Sequence, residues 1–107
     1  MNKNISRIAE DFTNDSRKIL KDNLIEQYIF GSQVKNSNVE DSDIDILLIV
    51  SKVSIEIKKQ ISALASEYSL NYNIIISPVL KEKSIWEKNK KYNTLFYTEV
   101  KQFGVAL

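Results

Sequence analysis

Two short motifs in this chain of 107 residues combine residue types and spacing that suit phosphate and metal chemistry. Gly31-Ser32 closes one apolar run, and Asp43 and Asp45 open the next run after ten intervening residues. Residues two apart on a strand project from the same face, so the two carboxylates are predicted to point together. Adjacent carboxylates repel each other unless a divalent cation neutralises them, and Mg²⁺ is commonly held by carboxylates together with triphosphate oxygens.

The Gly-Ser turn adds a phosphate-binding element to this pair. Gly31 permits a tight backbone turn, and Ser32 would open a short helix whose free N–H groups can hold a phosphate. Each motif alone also fits a plain structural role, a strand-to-helix turn for Gly-Ser and a solvated acidic strand start for the aspartates. Their order on two consecutive predicted strands favours a site for ATP or another nucleoside triphosphate, with Mg²⁺ as cofactor.

Composition narrows the chemistry further. The chain has no cysteine and no histidine, so disulfides, thiolate ligands and imidazole are excluded, and Asp and Glu must supply any base or metal ligand. The net charge is +1, which gives no global attraction to nucleic acid or membrane. No apolar run approaches membrane-spanning length, and the N-terminus has no apolar leader segment. We therefore expect one domain over residues 1–107 that works in the cytoplasm, without a membrane partner and without direct nucleic-acid binding.

The spacing of apolar residues predicts both helices and strands. The predicted elements are a helix from Ile5 to Leu20, strands over 24–30 and 43–50, a helix through Ile57 to Tyr68, a strand over 72–79, and helices over 81–89 and 94–103. Ser51 or Ser54 is the expected N-cap of the second helix, and Gly104 is placed to end the last one. This order predicts an α/β (α+β) fold, a small mixed β-sheet with helices packed mainly on one face.

A basic cluster follows the third predicted strand. It comprises Lys81, Lys83, Lys88, Lys90 and Lys91 around Trp86. The favoured interpretation is a solvated helix face with one aromatic side chain in the core, and contact with RNA or an acidic partner is the alternative. Tyr92, Phe96 and Tyr97 could stack on a base, yet the helical spacing of the apolar residues in this segment favours core or interface positions.

The stretch FGSQVKNSNVEDSDIDILLIV, from Phe30 to Val50, resembles the signature of the DNA polymerase β-like nucleotidyltransferase superfamily. The likeness is closest to its short single-domain members, the minimal nucleotidyltransferases or MNT proteins. The last residues, which end in Gly-Val-x-Leu, are also similar to the tail of such domains, so the resemblance covers nearly the whole chain. The resemblance implies a polymerase β-like nucleotidyltransferase core for the predicted sheet and helices.

The resemblance also implies roles for individual residues. Gly31, Ser32 and Lys35 would bind the nucleotide, with Lys35 as a point charge where many relatives have arginine. Asp43 and Asp45 would be catalytic and would bind two Mg²⁺ ions. A hydroxyl group would then attack the α-phosphate, and pyrophosphate would leave by in-line displacement.

The chain departs from the family at a third carboxylate, which relatives usually have near the start of a later apolar strand. Here that run is NYNIIIS, and Asn73 is the expected position of the missing carboxylate, with Asn71 as the other candidate. An amide can ligate a cation through its oxygen, but it has no charge and cannot act as a base. We therefore expect ATP binding to survive while transfer is slow or absent.

The resemblance leads to two main hypotheses for function. The first is transfer of AMP from Mg-ATP to a protein partner, with this chain as the antitoxin of a HEPN/MNT toxin–antitoxin pair and a helical HEPN-type protein as its partner. The alternative is a catalytically weak or inactive module that neutralises or scaffolds the partner by binding alone, which the amide at Asn73 favours. A third hypothesis is transfer to a small molecule such as an aminoglycoside, and the sequence identifies no acceptor.

Overall fold

The computed structural model describes residues 3–30 and 44–107, which form a four-stranded sheet and four α-helices. In chain order the elements are α1 (Lys3–Leu20), a 3₁₀ turn (Lys21–Asn23), β1 (Leu24–Phe30), β2 (Ile44–Val50), α2 (Ile55–Tyr72), β3 (Ile76–Glu82), α3 (Lys83–Lys91), α4 (Leu95–Phe103) and β4 (Val105–Ala106). Within these described ranges, no helix is both long enough and apolar enough to cross a membrane.

The strands are ordered β3-β2-β1-β4 in the sheet. β2 is antiparallel to β1 and parallel to β3, and β4 adds a two-residue antiparallel edge to β1. The predicted small mixed sheet is thereby confirmed, but the helices pack on both faces of it and not mainly on one. β2 has a neighbour on each side and helices on both faces, so its side chains from Ile46 to Val50 are all buried. This burial explains the near-continuous apolar sequence of the strand.

The two faces of the sheet bury separate apolar clusters. On one face, the even-numbered residues of β2 pack with the long helices α1 and α2. On the other face, Leu47 and Ile49 pack with Trp86 of the short helix α3 and Val100 of the short helix α4. The prediction that Trp86 lies in the core is confirmed. Asp45 is odd-numbered like Leu47, and its side chain therefore projects towards the face that α3 and α4 cover.

The helix ends use side-chain and backbone caps. Of the two candidate N-caps, Ser54 caps α2, and its Oγ accepts a hydrogen bond from the Ile57 N–H at 3.2 Å. Gly104 ends α4, as predicted, and its backbone is extended with a φ of −72°. Its N–H donates to the Val100 carbonyl oxygen at 2.7 Å, and a Cβ atom at Gly104 would overlap that oxygen. Glycine is therefore needed here for close approach rather than for a left-handed backbone.

The third strand begins later than the sequence pattern indicated. α2 continues to Tyr72 and ends at Asn73, which has a left-handed conformation with φ 54° and ψ 42°. The predicted strand over 72–79 was wrong at its start, because β3 runs from Ile76 to Glu82. Asparagine tolerates the left-handed conformation that ends many helices, and here it separates the helix from the β-branched run that follows.

The first two outward positions on the outer edge of β3 have no free backbone donor. The Ile76 N–H points away from β2 and donates a hydrogen bond to Ser69 Oγ of α2 at 3.1 Å. Pro78 lies two residues further on, with the same orientation, and has no N–H to offer.

Candidate functional site

Asp45 lies near the start of β2, and its side chain is half-buried. Its cross-strand neighbour on β1 is Phe30, and its neighbour on β3 is Ser77. Because β1 is antiparallel to β2 and β3 is parallel to it, β1 ends and the other two strands begin at the same end of the sheet. Three strands therefore bring their termini together around this carboxylate.

Four other predicted site residues lie outside the described ranges. They are Gly31, Ser32, Lys35 and Asp43. The described chain stops at Phe30 and resumes at Ile44, and both of these residues lie at the Asp45 end of the sheet. The roles of the four residues stay predictions.

An aromatic cluster borders the Asp45 side of the sheet. Phe30 meets Phe96 of α4 edge to face, with ring centroids 5.6 Å apart, and Phe96 meets Trp86 at 6.0 Å in a similar geometry. The Nζ atom of Lys81 lies 5.1 Å from the centroid of the Phe96 ring, which is a cation–π distance. Apolar rings therefore border this face of the sheet, and the Lys81 ammonium lies against them, four residues along β3 from Ser77.

Tyr28 lies on the same face, two residues before Phe30, and is unsuited to act as a base. Its hydroxyl donates a hydrogen bond to Glu26 Oε1 at 2.7 Å. Burial, reinforced by the Glu26 carboxylate, raises the pKa of Tyr28 to about 12. The hydroxyl therefore stays protonated at neutral pH and is not available as a base.

The structure does not bring Asn73 or Asn71 next to Asp45 on the sheet. Asn73 is exposed at the end of α2, three residues before β3 begins, and Asn71 is exposed on α2 itself. The strand placement behind the Asn73 assignment was therefore wrong, and a chemical role for either amide stays an untested prediction. The residue of β3 that lies beside Asp45 is Ser77, which sequence reasoning missed.

The Asp45 carboxylate offers oxygen donors of the type that Mg²⁺ prefers, and the neighbouring Ser77 offers a neutral hydroxyl. Asp45 supplies one carboxylate, and Asp43 would supply another from two residues earlier. Across residues 3–30 and 44–107, no three Asp, Glu, His or Cys side chains group closely enough to hold a metal ion. Glu82, the carboxylate of β3, lies at the end of the strand opposite to Asp45. It accepts a hydrogen bond from the Val53 N–H at 3.2 Å. A cation here would therefore rely on the two aspartates and on oxygens of a bound substrate.

The family model described as a nucleotidyltransferase domain matches residues 14–101. The chain belongs to this nucleotidyltransferase family. The nucleotidyltransferase domain is 37% identical over 104 residues to a protein of Methanocaldococcus jannaschii named "Putative protein adenylyltransferase MJ0141". That match covers 96% of this chain and 98% of the relative.

Two solved structures share the fold of the nucleotidyltransferase domain. One is a crystal structure of a toxin–antitoxin with AMP-PNP, with a TM-score of 0.57 and 16% identity over 91% of this chain and 70% of the other. The second is a mutant of the toxin–antitoxin MntA-HpeT, with a TM-score of 0.56 and 18% identity over 92% of this chain and 70% of the other. At such identities the likeness shows the fold alone. Together with the family match and the relative, it confirms the resemblance to minimal nucleotidyltransferases.

Proposed function

We propose that this nucleotidyltransferase domain binds Mg-ATP and transfers AMP to a hydroxyl group of a protein partner, as the antitoxin of a HEPN/MNT toxin–antitoxin pair. The observation that carries the proposal is the half-buried Asp45 carboxylate, which lies where β1 ends and where β2 and β3 begin. The family match and the relative named for protein adenylyl transfer support the reaction. The toxin–antitoxin structures, one of them with the ATP analogue AMP-PNP, support a nucleotide and a protein partner.

In the proposed reaction, the acceptor hydroxyl loses its proton and its oxygen bonds to the α-phosphorus, while the bond from that phosphorus to pyrophosphate breaks. Gly31, Ser32 and Lys35 would hold the phosphates through backbone N–H groups, a hydroxyl and an ammonium. Asp43 and Asp45 would hold Mg²⁺, which supplies charge neutralisation and eases deprotonation of the acceptor. Because the reaction consumes ATP, we place it in the cytoplasm.

The described side of the site would assist in two ways. The contact between Phe30 and Phe96 would limit the access of water to the sheet face next to Asp45, and lower water content strengthens electrostatic interactions. The Lys81 ammonium, held against Phe96, adds a positive charge near this face that would favour a triphosphate.

A transfer assay with a labelled nucleotide tests the proposal. The purified chain is incubated with α-labelled ATP, Mg²⁺ and a candidate helical HEPN-type partner protein, and label on the partner is measured after denaturing electrophoresis. We expect label on the partner with the parent chain and a large loss of label with Asp45→Asn. Label that persists in a folded Asp45→Asn variant would overturn the assignment of Asp45.

A second candidate function is neutralisation of the partner by binding alone. It is favoured by one observation, which is that the residue beside Asp45 on β3 is Ser77 and not a carboxylate. If Asp45→Asn still forms the complex and still suppresses the partner's toxicity, binding alone is sufficient. If complex formation survives while suppression is lost, transfer is required.

A further inference from the structure

The parallel pairing of β2 and β3 sets Ser77 directly beside Asp45. Residues paired in a parallel ladder project from the same face, and neighbouring strands lie about 4.8 Å apart. The alternation along β3 agrees with this placement, because Ile76 is buried in the cluster under α1 and α2 whereas Val79 packs in the opposite cluster. Ser77 therefore projects on the α3–α4 face, on the same side of the sheet as Asp45.

The surroundings of Ser77 supply no other carboxylate from its own strand. Moving along β3 on the same face, the next side chains are Val79 and Lys81. Ser77 is half-buried, and its hydroxyl is therefore the oxygen that β3 presents beside Asp45.

We propose that Ser77 limits the nucleotidyl-transfer site to one tightly held divalent cation, an inference that rests on the proposed function. The Asp45 carboxylate and the nucleotide phosphates offer one cation several anionic oxygen ligands. A second cation beside Asp45 would have the neutral Ser77 hydroxyl as a ligand. A hydroxyl oxygen binds a cation more weakly than a carboxylate oxygen does, because it has no charge. Activation of the acceptor hydroxyl is then slow, since the second ion of a two-metal site is the one that favours its deprotonation.

Three substitutions separate the effect of charge from the effects of shape and position. Ser77→Asp adds a carboxylate beside Asp45. Ser77→Asn adds a side chain of nearly the same shape without the charge. Asn73→Asp adds the same charge at the exposed end of α2, where sequence reasoning placed the missing carboxylate.

Cation stoichiometry is the direct test of the proposal. Mn²⁺ replaces Mg²⁺, AMP-PNP replaces ATP, and the number of bound Mn²⁺ ions per chain is measured by electron paramagnetic resonance. We expect one tightly bound ion in the parent, in Ser77→Asn and in Asn73→Asp, and two in Ser77→Asp. Two ions in the parent, or a second ion in Asn73→Asp and not in Ser77→Asp, would overturn the proposal. If the parent binds AMP-PNP without any dependence on Mn²⁺, the proposed function fails and not only the role of Ser77.

Thermal unfolding gives a second readout that is independent of activity. Without a cation, Ser77→Asp should unfold at a lower temperature than Ser77→Asn, because two carboxylates would face each other across adjacent strands. Mn²⁺ with AMP-PNP should raise the unfolding temperature of Ser77→Asp more than that of Ser77→Asn. An equal rise in both variants would contradict the proposal. In the transfer assay, Ser77→Asp should act roughly 10²-fold faster than Ser77→Asn.

Discussion

Replacing Asp45 by asparagine should remove most of the Mg²⁺ dependence of ATP binding. The change keeps the shape of the side chain and removes one charge from a half-buried position between Phe30 and Ser77. Breaking a fully buried charge pair costs about 3–5 kcal/mol, whereas an exposed pair contributes about 0–1 kcal/mol. A half-buried carboxylate lies between these limits, so we expect a loss of about 2 kcal/mol, which is roughly a 30-fold weaker affinity.

Calorimetric titration of AMP-PNP with and without Mg²⁺ measures this effect. The parent should bind more tightly with Mg²⁺, and Asp45→Asn should bind with nearly the same affinity in both conditions. Asp22→Asn is the matched control, because it makes the same change of charge on the exposed turn before β1, at the other end of that strand. The metal role of Asp45 would be refuted if the parent bound AMP-PNP with the same affinity with and without Mg²⁺. It would also be refuted if a folded Asp45→Asn variant kept the full effect of Mg²⁺ on affinity.

Three further outcomes are expected. Ser32→Ala should weaken AMP-PNP binding by on the order of 1 kcal/mol through loss of a hydroxyl donor to a phosphate, and parent-like affinity by calorimetry would reduce the Gly-Ser motif to a structural turn. The pKa of Tyr28 is raised from 10.0 to about 12, so its ionisation favours the unfolded chain, and the free energy of unfolding should fall as the pH rises from 10.0 towards 12. Urea titrations should show a shallower fall for Tyr28→Phe, and equal slopes would contradict the burial of that hydroxyl. Gly104→Ala should lower the thermal unfolding temperature, because its Cβ would overlap the Val100 carbonyl oxygen; an unchanged temperature would show that the end of α4 can shift at little cost.

Local sequence signals predicted the first two strands well. The apolar run before Gly31 predicted the observed bounds of β1, Leu24–Phe30, and the run that begins at Asp43 predicted β2 to within one residue. In both cases polar or turn-forming residues flank the apolar run. The apolar side chains of the run are the ones that the sheet buries. Ser54 was also correctly among the predicted N-caps. A serine just before a segment with helical spacing of apolar residues can accept a hydrogen bond from a free N–H group at the helix start.

The residue of β3 that pairs with Asp45 could not be predicted from local sequence signals. Asn73 ends α2 through a left-handed backbone that the sequence permits and does not require, so the β-branched run after it could begin the strand at several positions. The pairing of Ser77 with Asp45 depends on hydrogen bonds between segments more than thirty residues apart, such as the one from the Ile44 N–H to the Ile75 carbonyl oxygen at 2.8 Å. A shift of one residue in this register would have turned Ser77 to the opposite face.

The start of the outer edge of β3 resists pairing with a strand of another chain. An incoming strand would find the Ile76 N–H already bonded to Ser69 and no N–H at Pro78, and short or proline-containing edges resist strand addition. At the opposite edge, β4 offers two residues, Val105 and Ala106, which is too short a template for stable pairing. Strand addition is therefore disfavoured at the start of the outer edge of β3 and at β4, and these positions should reduce the polymerisation of concentrated samples through their sheets.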